Sequence, residues 1–133
     1  MAPPSTPDRP SHVVLAEDDP VNQEACARVL RKRGYRVSTA ATGHEVLAVI
    51  AREPVDLVLM DCQMPEMDGF AATASIRARE QTATGQPRLP IIALTAHAMA
   101  GDRERCLAKG MDGYATKPIN RQVLFAEIDR FLS

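Results

Sequence analysis

Along this chain, short β-branched runs alternate with longer stretches in which apolar residues return every third or fourth position. His12–Ala16 is a nearly continuous apolar run, as expected for a strand covered on both faces. Tyr35–Ala40, Val55–Met60, Ile91–Leu94 (ending at Thr95) and Gly113–Thr116 read as four more strands. After the first run, Asp19 can cap a helix and Pro20 suits its first position. Val21, Ala25 and Val29 then repeat every fourth residue, with Cys26 and Leu30 widening the stripe. Arg31, Lys32 and Arg33 fall in the last turn, favourable to the helix dipole, and Gly34 supplies the stop.

The remaining helices follow the same logic. Thr42 and Glu45 match a capping box, with Leu47, Ile50 and Ala51 expected to face inward and Pro54 ending the pattern. Phe70–Glu80 forms a third helix with a weaker stripe, and Gln81–Pro90 a polar connection. Ala98–Lys109 is helical with a strongly polar middle, Gly101–Arg105, and so is expected to be loosely anchored. Asn120 caps a last helix carrying Leu124, Ile128 and Phe131 on one face. Strands alternating with helices predict βαβ units and a parallel sheet. Right-handed crossovers then place every strand's C-terminal end on one edge, where open α/β sheets bind ligands.

The residues just past the apolar runs carry the chemistry. The first strand delivers Glu17 and Asp18, the third Asp61, the fourth Thr95 and the fifth Lys117. Clustered carboxylates raise one another's pKa, and a hard divalent cation with oxygen ligands relieves the conflict. A carboxylate beside Mg²⁺ can act as a nucleophile toward phosphorus. Lysine and a hydroxyl can each stabilise an oxygen of the transferring group. No Ser-His-Asp order, GxSxG, Walker or GxGxxG loop points elsewhere, and a glycosidase pair of carboxylates leaves the lysine unexplained.

Composition narrows the classes further. The 133 residues are the size of one domain, 45% hydrophobic and 25% charged. A formal net charge of -1 and the absence of Trp give no basis for nucleic-acid or anionic-membrane binding. No apolar run approaches the roughly 18 residues needed to span a bilayer. Residues 1–11, rich in Pro, Ser and Thr, read as a disordered linker or an expression remnant. Cys26, Cys62 and Cys106 are scattered and read as small buried thiols of a reducing cytoplasm; His12, His44 and His97 show no zinc-ligand spacing. Met60, Met64 and Met67 read as packing, and Asp56 and Asp68 as turn or strand-edge residues.

Four motifs in order, Leu15–Asn22, Leu59–Gly69, Ile91–Ala96 and Tyr114–Pro118, resemble the response-regulator receiver domains of two-component signalling, over about Val13–Phe131. The wording around Asp61 is most similar to receivers of hybrid sensor histidine kinases. The resemblance implies a flavodoxin-like (βα)5 doubly wound fold, strand order 2-1-3-4-5, spanning residues 12–133. It implies Asp61 as phosphoacceptor, with Lys117 and Thr95 binding the phosphoryl group. Asp18, Asp61 and the backbone carbonyl of Gln63 match the metal ligands, with Glu17 acting through water. Thr95 and Tyr114 match the switch pair, and the Lys117–Pro118 bond is typically cis in similar domains. The implied cofactor is Mg²⁺, with Mn²⁺ a substitute. The implied donor is a phosphohistidine on a histidine kinase or a histidine-phosphotransfer protein. Nucleic acid and direct membrane contact are not expected.

On this reading the chain is not a conventional enzyme, although it catalyses its own phosphorylation and dephosphorylation. Its expected place is the cytoplasm, as a stand-alone regulator or as the cytoplasmic part of a membrane-bound hybrid kinase. Two departures stand out: Glu17 is longer than the Asp of many stand-alone regulators, and Asp19 stands where hybrid-kinase receivers often have Asn. A dehalogenase-like phosphohydrolase would need an acid two positions after Asp61, where Gln63 stands. A pseudo-receiver would not be expected to keep Asp18, Asp61, Thr95 and Lys117 together.

Overall fold

A computed structural model describes residues 11–62, 64, 66–82, 88–95, 101–117 and 119–132. Among these, β1 (His12–Ala16), α1 (Pro20–Lys32), β2 (Arg36–Ala40), α2 (Gly43–Arg52), β3 (Leu57–Asp61), α3 (Gly69–Thr82), β4 (Ile91–Thr95), α4 (Asp102–Ala108), β5 (Gly113–Thr116) and α5 (Arg121–Leu132) alternate along the chain. The strands form one parallel sheet in the order β2-β1-β3-β4-β5, as expected.

Successive strand residues point to opposite faces, so unbroken apolar strands build two cores at once. Val14, Ala16, Val58, Met60, Ile91 and Ala93 face α2, α3 and α4. Val13, Leu15, Leu57, Leu59, Ile92 and Leu94 face α1 and α5. The start of β1 is polar yet buried, because every polar atom is satisfied. His12 donates its backbone N–H to Asp56 at 2.7 Å and its Nδ1–H to the Pro54 carbonyl, and its Nε2 meets the Ser38 hydroxyl. Ser11 is buried as well, its carbonyl accepting from Arg36.

Two helices sit rotated from the expected faces. Val21 is 75% exposed and Ala25 is exposed, whereas Cys26, Ala27 and Leu30 are buried. The inward stripe includes Gln23, whose polar character conceals it in a hydrophobicity pattern. In α2 the buried residues are Gly43, Val46 and Val49; Leu47 and Ile50 are half-buried and Ala51 is exposed. The capping box forms in a shifted version. Thr42 Oγ1 accepts from the Glu45 N–H, while Glu45 Oε1 reaches back to the N–H of Ala41 instead of Thr42.

The weak stripe of α3 has a local explanation. Thr73 takes a fully buried position and spends its hydroxyl on the Gly69 carbonyl at 2.7 Å. The helix continues through Thr82, two residues into the expected connection; Gly85 and Pro87 of that connection lie outside the described residues. So do Ala98–Ala100, the expected start of the fourth helix. α4 begins at Asp102, preceded at its capping position by Gly101 (φ 92°), which offers no side-chain cap, and Arg103, Glu104 and Arg105 are exposed. Its far end is fastened. Arg77 donates to the Gly110 carbonyl at 2.8 Å and to Asp112 at 2.6 Å, and Arg88 holds the same two groups. Asn120 accepts from Val123 at the start of α5, and Leu124 and Ile128 are buried.

Gly69 brings the start of α3 against the end of β3. A Cβ there would lie within contact distance of the Asp61 carbonyl oxygen and 2.9 Å from Met60 Cγ. The obstacle is backbone, so it cannot swing aside. Gly69→Ala should destabilise the domain by about 1–3 kcal/mol, the usual cost of overpacking. Urea unfolding measures this; an unchanged midpoint would mean that β3 and α3 can separate freely.

Candidate functional site

Each strand's C-terminal end meets its neighbours at one edge. Ala16 is in register with Met60, Asp61 with Leu94, and Thr95 with Thr116. Asp61 and Thr95 are therefore the last residues of their strands, and Glu17 and Lys117 lie one residue beyond theirs. Glu17, Asp61 and Thr95 are buried, Lys117 is half-buried and Asp18 is exposed.

Glu17, Asp18, Asp19, Asp61, Asp68 and Lys117 line an open cleft of about 680 Å³, with Thr95 in its wall. Among the described residues the cleft thus sets five carboxylates against one ammonium. Lys117 Nζ bridges two of them, at 2.6 Å from Glu17 and 2.7 Å from Asp61. The extra methylene of Glu17, relative to Asp, carries its carboxylate to the lysine while the other oxygen accepts from the Asp19 N–H at 3.1 Å. Asp19 itself caps α1, accepting from Val21 and Asn22, and Asp68 accepts from Ala71 at the start of α3. Both therefore have local structural work, as expected.

Burial pushes the Glu17 carboxyl above the usual glutamate range, helped by the Asp61 charge and only partly offset by Lys117. For Lys117, burial pulls downward, but hydrogen bonds to Asp61 and Glu17 outweigh it and hold the ammonium above the usual lysine value. The lysine is thus a fixed cation across the physiological range. Carboxylate oxygens of Glu17, Asp18 and Asp61 all lie within 4.8 Å of one another. That all-oxygen, strongly anionic donor set fits a hard divalent cation such as Mg²⁺.

The predicted residues converge, with exceptions of position. Gln63, the expected carbonyl ligand, lies outside the described residues, as do His97 and Pro118. Tyr114 is half-buried against the α2–α4 core rather than in the cleft, and its N–H donates to Glu127 at 2.8 Å. All three cysteines are buried thiols, none of them in a disulfide. Burial, with a hydrogen bond to Cys106, pushes the Cys62 thiol up to about 12, so it stays protonated although it lines the cleft. Met64 is another wall residue that its sequence context read only as packing.

The response regulator receiver domain model matches residues 13–129. This chain belongs to that family. The receiver domain is 44% identical to the sensor histidine kinase GacS of Pseudomonas protegens over 87% of its own length, but spans only 12% of that protein. It therefore covers about an eighth of that curated relative. Its fold matches the receiver domain of the Pseudomonas aeruginosa sensor histidine kinase PA1611, whose crystal structure has a magnesium ion coordinated in the active site cleft. That match has 42% identity, TM-score 0.81, and covers 92% of this chain and 98% of the other. It also matches the co-crystal of the Saccharomyces cerevisiae histidine phosphotransfer protein Ypd1 with the receiver domain of Ssk1. There identity is 29%, TM-score 0.86, and coverage 92% of this chain and 89% of that one.

Glu17 makes stability depend on pH. Above the ordinary value of 4.5 the unfolded glutamate has released its proton, while the folded one, with its raised value, still holds it. Stability therefore falls as pH rises through the window between the two values, and the loss is complete above the folded one. Glu17→Gln should remove this component. Urea unfolding from pH 4.5 to neutrality should show the variant gaining on the wild type as pH rises; a constant difference would mean burial does not govern this group.

Proposed function

We propose that this receiver domain accepts a phosphoryl group on Asp61 within a histidine-to-aspartate phosphorelay. The observation that carries the assignment is the Lys117 ammonium 2.7 Å from Asp61, with Asp18, Glu17 and Thr95 on the same sheet edge. An Asp61 carboxylate oxygen bonds to phosphorus as the P–N bond of a donor phosphohistidine breaks, and the leaving imidazole takes up a proton. Lys117 stands where it can hold one phosphoryl oxygen, and Thr95, at the end of the next strand, can hold another. Asp18 and Asp61, with the Gln63 carbonyl, would hold Mg²⁺ or Mn²⁺ directly, with Glu17 behind a water. When bound, the cation would supply positive charge to offset that of the carboxylates and of the incoming phosphoryl group.

Thr95 and Tyr114 form the switch. A hydrogen bond drawing Thr95 toward the phosphoryl group would free space beneath α4, whose uncapped start and exposed polar middle leave it able to shift. Tyr114, already half-buried beside that helix, would turn further inward.

The donor is a histidine kinase or a histidine-phosphotransfer protein. Val21, 75% exposed on the first turn of α1 beside the cleft, offers such a partner an apolar contact. The likeness to GacS and to PA1611 supports an origin in a hybrid sensor kinase, with residues 12–133 as its receiver and residues 1–11 as a linker. The domain would then work in the cytoplasm. Among the described residues, no helix is long and apolar enough to cross a membrane.

A small phosphodonor with Mg²⁺ should label the wild type once. The labelled bond should be sensitive to hydroxylamine, and Asp61→Asn should abolish labelling. Thr95→Ala should still be labelled, yet beryllofluoride should shift the NMR signals of Tyr114 and Gly101–Arg105 far less than in the wild type. Undiminished labelling of Asp61→Asn would overturn the acceptor assignment, and equal shifts in Thr95→Ala would overturn the switch.

A further inference from the structure

Asp18 is the one exposed carboxylate among the three that approach one another, and among the described residues no hydrogen bond of its own side chain fixes where it points. Its position is set by the backbone on either side. On the C-terminal side, Asp19 is held as the cap of α1 and donates its N–H to Glu17 Oε2. On the N-terminal side, the Glu17 N–H extends the β1–β2 ladder to the Ala40 carbonyl at 2.9 Å. That leaves the Glu17 carbonyl at the point where the chain leaves the sheet.

Gln23 meets it. From the first turns of α1, its Nε2 donates to the Glu17 carbonyl at 2.9 Å and reaches the Ala40 carbonyl at 3.4 Å. One side-chain amide thereby ties the helix to the ends of both β1 and β2, and Gln23 is half-buried on the same face as Cys26, Ala27 and Leu30. Gln23 is not itself among the residues lining the cleft; it reaches them through the backbone carbonyls of Glu17 and Asp19.

We infer that Gln23 is a positioning residue for the acidic loop: it holds the Glu17–Asp18 backbone in the geometry that presents the Asp18 carboxylate to the cation and to Asp61. The inference rests on the proposed cation-assisted phosphorylation. Partners that orient metal ligands from behind are worth much of a site's affinity, and small misplacements in a preorganised cluster are costly. The amide is needed as a donor to two carbonyls. An isosteric side chain without N–H fills the same space but leaves the loop untied.

The test uses the full chain and three variants. Gln23→Met keeps the shape and deletes the donor. Gln23→Glu keeps the shape and presents an acceptor to two acceptors. Arg31→Met is a control, because Arg31 makes a comparable tie from α1 to the Val37 carbonyl at the other end of the helix. Far-UV circular dichroism checks that each is folded, and urea unfolding gives its stability. Mg²⁺ affinity is read by NMR titration without any phosphodonor, and phosphorylation rates are measured at limiting and saturating Mg²⁺.

Loss of an outer partner of a metal site costs roughly 10–100-fold in affinity. Either Gln23 variant should therefore bind Mg²⁺ about ten-fold more weakly, and its phosphorylation rate should largely recover at saturating Mg²⁺. Arg31→Met should lose stability without losing Mg²⁺ affinity. If a folded Gln23 variant binds Mg²⁺ as tightly as wild type, or loses affinity no more than Arg31→Met does, the inference fails. A wild type that is itself not phosphorylated on Asp61 would instead overturn the proposed function, which separates the two failures.

Discussion

A single ammonium between two buried carboxylates organises this protein's working edge. Lys117 enters from the end of β5, Glu17 from β1 and Asp61 from β3, and their oxygens and nitrogen meet at 2.6 and 2.7 Å. Burial pushes the Glu17 carboxyl upward, and the charge of Asp61 beside it adds to that push. The lysine keeps the arrangement tolerable. On the proposed reading, the same ammonium would also meet the negative charge that a transferred phosphoryl group brings to Asp61.

The sheet supplies that meeting point through its topology. Parallel strands with right-handed crossovers send every C-terminal end to one edge. The middle positions of β3 and its neighbours β1 and β4 converge there, while their unbroken apolar bodies are buried on both faces. Packing rigidity beneath and polar loops above divide the labour. The core fixes the strand ends that carry Asp61 and Thr95, and the loops carry Glu17, Asp18 and Lys117 just beyond them.

Around this edge the helices are anchored unequally. α3 is pressed against the Asp61 backbone through Gly69, leaving it little freedom. α4 is tethered at its C-terminal end by Arg77 and Arg88 through Gly110 and Asp112, yet begins without a side-chain cap and exposes its charged middle. Nearer its start, Arg103 lies 4.0 Å from Glu127 of α5, a looser tie than those at its C-terminal end. The lysine backbone is tied to the β4 end as well, Lys117 N–H donating to the Thr95 carbonyl at 2.8 Å.

Strand bodies, caps and the cluster Glu17, Asp18, Asp61, Thr95 and Lys117 were legible in the chain. Each depends on local pattern, since an apolar run ending in a polar residue states its own position in a parallel sheet. Helix faces were less legible. In α1 the inward stripe runs through Gln23, and hydrophobicity counts a half-buried amide as a surface residue even when it is satisfied by two carbonyls. In α2 and α3, Val46, Val49 and Thr73 face the core because of how the crossovers seat each helix on the sheet, which no repeat along one segment encodes. Distances likewise belong to the tertiary structure. The sequence determined by itself which groups would gather and what chemistry they could perform. Only the packed sheet decided that Glu17 reaches Lys117 directly, that Tyr114 stands away from the cleft, and that Gln23 ties the acidic loop, because each contact joins residues from separate elements whose spacing is set by the core between them.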